Sequence, residues 1–202
     1  MKAMRRLNLV LIFAAAIFCF TGNQAFTQDA EKWSGTCAIT FSGKSTLHNF
    51  AGSVKAESFT ATISNPRDTS QAAISGRVTV KAAKMDTENK KRDAKMHEAM
   101  EVSTYPDIVV EVVDWTLAAA GPVVDGSAPR PATIPFILTI KGKQQKLKGT
   151  VTDWSYTGNT INCTISFPVS LNTSGIVVPS VLGLVKVDDQ IQVKANLALK
   201  KT

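Results

Sequence analysis

Ile191-Gln192-Val193-Lys194-Ala195-Asn196-Leu197-Ala198-Leu199 decides the fold class, because apolar side chains fall at every second position and the partners Gln192, Lys194 and Asn196 are polar. A period of two puts the apolar set on one face of a strand and the polar set on the other. The same alternation runs through Cys37, Ile39 and Phe41, through Phe59, Ala61 and Ile63, and through Ile74, Gly76, Val78 and Val80. It continues in Ile108, Val110 and Val112, in Phe136, Leu138 and Ile140, in Leu147 and Val151, and in Ile161, Cys163, Ile165 and Phe167. Strands with one dry and one wet face belong to antiparallel sheet, whereas the buried strands of parallel sheets are apolar on both faces. Turn residues at Asn65-Pro66-Arg67-Asp68, Gly142-Lys143 and Gly158-Asn159 make the neighbouring strands hairpin partners.

About eight or nine antiparallel strands protect their edges by closing into a barrel or folding into a sandwich, and the pattern alone leaves both open. A barrel of about eight strands is either filled by its own side chains or holds one small ligand. The slender inward candidates Ala61, Gly76, Val78, Val80, Val110 and Val112 favour a cavity. One helix is predicted over Asn89 to Met100, with Met96 and Met100 on its apolar face and Pro106 beyond its end. Gly121 to Pro135 reads as a long loop within a single domain.

The N-terminus has a different character. Lys2, Arg5 and Arg6 precede an apolar run from Leu7 to Phe20 and a small polar stretch from Thr21 to Ala25, the three regions of a secretory signal peptide. The apolar run is shorter than the roughly 20 residues of a membrane span. Residues 1–25 are therefore expected to be cleaved, placing the protein in the periplasm or outside the cell with no membrane span. Taking 25 residues and three cations from a chain of 202 residues and charge +7 leaves 177 residues and +4, so the basicity is ordinary. Cys19 leaves with the signal. Cys37 and Cys163 remain in a compartment where disulfides persist, and form either a bridge or two buried thiols.

No catalytic motif emerges. Gly43-Lys44-Ser45-Thr46 has the tail of a phosphate-binding loop, but Ala38 stands where its first glycine belongs and no helix follows. There is no Gly-x-Ser-x-Gly elbow. His48 and His97 lie in segments of different type, with no ligand run beside them, so neither a metal nor another cofactor is expected. The lysines at 141, 143, 146 and 148 and the basic residues between Lys90 and Lys95 lack the interleaved aromatics of a nucleic-acid reader. They read as solvated faces with weak attraction for anionic lipid or polymer at an envelope surface.

Five segments in order resemble the YceI-like family. These are Ser45-Thr46-Leu47-His48-Asn49-Phe50-Ala51-Gly52, the helix Lys91-Arg92-Asp93-Ala94-Lys95-Met96-His97-Glu98-Ala99-Met100 with Met85-Asp86 before it, and Tyr105-Pro106-Asp107-Ile108. Leu138-Thr139-Ile140-Lys141-Gly142-Lys143 and Val187-Asp188-Asp189-Gln190-Ile191 complete the set. Asn49, where the family has Asp, and Cys37 in the first strand depart from its pattern. The resemblance implies a lipocalin-like antiparallel barrel over residues 33–202 with the helix packed beside it. It also implies an apolar cavity for a polyisoprenoid or other long-chain lipid, an envelope location and no enzymatic activity.

On that basis Ile39, Phe41, Val78, Val80, Val110, Val112, Phe136, Leu138, Ile161 and Ile165 are predicted to touch ligand. Ile176, Val177, Val178, Pro179, Val181, Leu182 and Leu184 are predicted to cover the barrel mouth. His48 is expected to satisfy a strand end, and Arg92 and Asp93 to tie the helix to the barrel or cap a loop. The contrasting function is a filled barrel whose outer surface engages another envelope protein, and a homodimer is compatible with either.

Overall fold

The computed structural model describes residues 30–66, 71–116, 131–177 and 187–202. The proposed signal segment, Arg67 and Asp68 of the first turn, most of the Gly121 to Pro135 stretch and the mouth candidates from Val178 to Leu184 lie outside them.

Nine strands are described: β1 (Ala30–Lys44), β2 (Asn49–Lys55), β3 (Phe59–Ser64), β4 (Ala73–Lys81), β5 (Asp107–Thr116), β6 (Thr133–Ile140), β7 (Lys143–Tyr156), β8 (Thr160–Ser170) and β9 (Gln190–Lys201). Between β4 and β5 stand a 3-10 turn, Ala82–Lys84, and the helix α1, Lys90–Ala99. All pairings between the strands are antiparallel. The ring runs from β1 through β3 to β9 and back to β1, a closed barrel of eight strands, and among the described strands β2 pairs only with β1.

The long first strand makes this closure possible. On one edge its first half pairs with β3 (Trp33 opposite Ala61) and its second half with β2 (Phe41 opposite Gly52). On the other edge it pairs with β9 from Trp33 opposite Lys201 to Ser42 opposite Gln192. Alternation alone marks this strand only from Cys37. Trp33, 2% exposed, belongs to it as well. The sequence pattern missed β2 because Gly52 stands where the alternation needs a side chain. There the Phe41 ring lies over the glycine, and a Cβ would also meet the Asp86 carbonyl oxygen at 2.7 Å.

Local chemistry explains the turns. Ile140 pairs directly with Lys143, so Lys141 and Gly142 form a two-residue hairpin turn, with φ of 51° and 71°. Lys141 does not belong to a solvated face. Its side chain is 15% exposed and pairs with Glu101 at 2.8 Å, and its Nζ donates to the carbonyl of Gly175 at 2.9 Å and that of Ala99 at 3.4 Å. One ammonium thus ties the hairpin to the end of α1 and to the segment after β8. Register shifts at Ile74/Gly76 and at Thr152/Ser155 bend the sheet, with Asp114 and Asp153 at positive φ beside them.

The barrel interior has two unlike halves. Trp33, Ala61, Ile63, Ile161 and Leu199, with Phe59, Ile74, Trp154 and Leu197 against them, fill one end. The other cluster includes Phe136, Leu138, Ile140, Phe167 and Val169, with Met96 and Ala99 of α1 packed on it. Ala61 is small because the Trp33 indole stands directly across the strand pair, so its slenderness serves packing at the filled end and leaves no room for a ligand.

Candidate functional site: a one-ended apolar cavity

At the end opposite Trp33 the barrel encloses a cavity of about 530 Å³, within the range of small-molecule sites. Its wall is built strand by strand from the inward phase. Ile39 and Phe41 come from β1, Phe50 and Val54 from β2, Val80 from β4, Ile108 and Val110 from β5, Leu138 and Ile140 from β6. Phe167 and Val169 of β8 and Ile191 and Val193 of β9 complete the ring, and Leu171, Ile176 and Val187 stand at its rim. Phe167 is braced by Phe136, edge to face with ring centroids 4.8 Å apart.

The helix contributes Met96 and Ala99, and Met100 follows them. Asn89 caps α1, its side chain accepting from the backbone N–H of Lys91 and Arg92 at 3.1 Å. The turn before it is held from the helix itself. Arg92 donates through Nε to the Thr87 hydroxyl (2.8 Å) and through Nη2 to the Thr87 carbonyl (2.6 Å). Asp93 accepts from the Thr87 amide (2.9 Å) and hydroxyl (2.5 Å). The hydroxyl and amide bonds from Thr87, and the nearby His97 and Arg92, hold the Asp93 carboxyl below its ordinary pKa against a smaller opposing effect of burial. Arg92 and Asp93 therefore cap a loop, and His97 helps through Nε2, 3.0 Å from the Met85 carbonyl.

Among the described residues the polar part of the lining consists of Ser45, His48, Thr87, Lys91, Arg92 and Lys95, and contains no carboxylate. His48 differs from its expected role. Its backbone makes the strand-end bonds, its carbonyl accepting from the Ser45 amide (3.1 Å) and hydroxyl (2.7 Å). Its exposed side chain lies at the cavity.

Of the ten residues predicted to touch ligand, Ile39, Phe41, Val80, Val110 and Leu138 line the cavity. Val78, Val112, Phe136 and Ile165 are outside the lining, each two residues along its strand from a lining residue and so one inward row nearer the filled end. Ile161 belongs to the Trp33 cluster. Periodicity reports which face a side chain takes, and carries nothing about depth along the barrel axis. Among the rim candidates, Ile176 lines the cavity and Val177 is exposed.

Cys37 and Cys163 are free, buried thiols. Each is opposite Leu197 on β9, one from β1 and one from β8, so two inter-strand spacings of nearly 5 Å separate their backbones, beyond a disulfide's reach of about 7 Å. Burial pushes both thiols up to about 11, with the charge of Cys163 adding to the effect on Cys37. Among the described residues no group of His, Cys, Asp and Glu comes together to hold a metal ion, and no helix is long and apolar enough to cross a membrane.

The closed antiparallel ring, the one α-helix among the described residues and the one-ended cavity define a lipocalin-like barrel. The chain belongs to the YceI-like domain family, whose model matches residues 33–199. Among the solved structures that resemble it, BcnA of Burkholderia cenocepacia superposes with a TM-score of 0.57 at 19% identity, over 80% of this chain and 95% of that one. A polyisoprenoid binding domain from Saccharophagus degradans, implicated in plant cell wall breakdown, gives 0.58 at 13% identity, over 86% and 100%. At these identities the likeness is one of fold. No curated protein matches the chain.

Proposed function

We propose that this protein is an exported carrier that sequesters a polyisoprenoid or similar long-chain amphiphile inside the barrel. The observation that carries the reading is the cavity itself, about 530 Å³ of apolar wall closed at one end by Trp33 and its neighbours. A chain entering such a site gains ~0.8 kcal/mol per buried methylene, and Met96 and Met100 adapt to chains of different branching. The likeness to a polyisoprenoid binding domain supports this choice of cargo, and the order of residues 1–25 supports export to the periplasm or beyond. The role is binding, with no reaction assigned.

Lipid extraction and native mass spectrometry on protein purified from its own host test the reading. Folded wild type is expected to carry an apolar chain. Val80→Trp or Val110→Trp is expected to remove most of it while circular dichroism stays native. A folded wild type that carries no apolar ligand and takes up none on addition overturns the carrier and favours the interaction protein.

A further inference from the structure

The connections at the cavity end are the Ser45 to His48 turn, the segment holding α1, the Lys141-Gly142 turn and the chain that follows β8. Two large aliphatic side chains there face water without serving the cavity. Leu47 is 62% exposed between the lining residues Ser45 and His48, and Val177 is 80% exposed next to the lining residue Ile176. Beside them Lys91 and Lys95 are exposed on one face of α1, four residues apart.

The charged residues of the lining are the cations Lys91, Arg92 and Lys95, while the exposed carboxylates Asp86, Glu88, Glu98 and Asp188 stand in the neighbouring segments. Glu57, Glu101 and Asp107 are occupied by Lys84, Lys141 and Lys81, while Asp93 and Asp189 are bound by hydroxyls and backbone amides. Among the described residues no ion pair joins Lys91 or Lys95 to a carboxylate. Exposed aliphatic side chains set among unpaired cations match the two attractions that hold a protein at an anionic bilayer surface, apolar insertion and charge. A water-insoluble chain also needs a path from cavity to lipid that avoids water, and the open end is where such a path begins.

We propose that the open end of the barrel docks on an anionic lipid bilayer, with Leu47 and Val177 inserted between head groups and Lys91 and Lys95 against their phosphates. This rests on the reading of the cavity as an apolar-chain site, because docking brings the mouth to the lipid that supplies or receives the cargo. Binding is electrostatic in part and weakens as salt is raised.

The test is co-sedimentation of the protein with phosphatidylcholine vesicles, with and without phosphatidylglycerol. Wild type is expected to pellet with the anionic vesicles and to be released by salt. Leu47→Asp with Val177→Asp, and separately Lys91→Glu with Lys95→Glu, should each lower partitioning by about tenfold or more. Val113→Asp, an equally exposed position on β5 towards the filled end, should leave it unchanged. Absence of wild-type binding, or equal loss in the Val113 variant, overturns the proposal and leaves the rim to a protein partner. Native mass spectrometry with geranylgeraniol, without vesicles, separates the two readings. Docking that persists when geranylgeraniol does not bind supports the surface and removes the carrier, whereas chain binding without docking removes the surface alone.

Discussion

Gly52 shows how a single missing side chain shapes the site. The Phe41 ring rests over it and the Asp86 backbone closes the remaining space, while the Ser53 and Asp86 backbones exchange hydrogen bonds of 2.8 and 3.0 Å. A methyl group there has no flexible neighbour to displace on the Asp86 side. Gly52→Ala is therefore expected to destabilise the fold by about 1–3 kcal/mol, the usual cost of overpacking, and to disturb the Phe41 wall of the cavity. Equilibrium denaturation measures the first effect and geranylgeraniol binding the second. An unchanged denaturation midpoint would show that β2 shifts freely on β1.

At the scale of elements, α1 and a tying or capping role for Arg92 and Asp93 were legible in advance, and their partner Thr87 was not. Asn89 and Met100 bound the helix as cap residues, as Asn89's capping chemistry and Met100's place in the apolar pattern suggest. That Arg92 and Asp93 converge on Thr87, five and six residues earlier, is a tertiary fact without periodicity. The eight strands of the ring were legible because each has one wet face, whereas β2 was hidden by Gly52. Half of the predicted contacts line the cavity because alternation distinguishes inside from outside, and the bulk that divides filled from open barrel comes largely from Trp33, upstream of the recognised pattern.

The Asp93 attachment has a pH signature. Its carboxyl is held below the ordinary value near 4, so its ionised form contributes stability above that value and loses it as pH falls through the lower folded pKa. Wild type should be more stable than Asp93→Asn at pH 7, and the difference should shrink by pH 3. Urea midpoints of both proteins at the two pH values check this, and a gap that widens in acid contradicts the assignment.

For the whole molecule, the division into filled and open halves predicts that stability and binding separate. Trp33→Ala removes the largest side chain of the filled end and should cost about 3–5 kcal/mol. It should leave the mouth and the wall from Ile39 to Val193 able to bind a chain, wherever the variant remains folded. Val110→Trp should do the reverse. Thermal denaturation and geranylgeraniol binding on the same two variants provide the comparison, and a Trp33→Ala protein that is folded yet unable to bind contradicts the division.

The seam between β1 and β9 carries a consequence for how the barrel comes into being. It joins Trp33 to Lys201 and Ser42 to Gln192, so the earliest and latest of the described strands must meet before any ring exists. Until then β1 and β9 are bare edges, the template on which a second chain can add, and contacts so distant in sequence form slowly. During synthesis the sheet can grow only as an open ribbon. A ribosome-stalled chain lacking β9 should therefore stay sensitive to protease through β1 and recruit factors that shield unpaired strands, whereas release of the last strand closes the ring and withdraws both edges together.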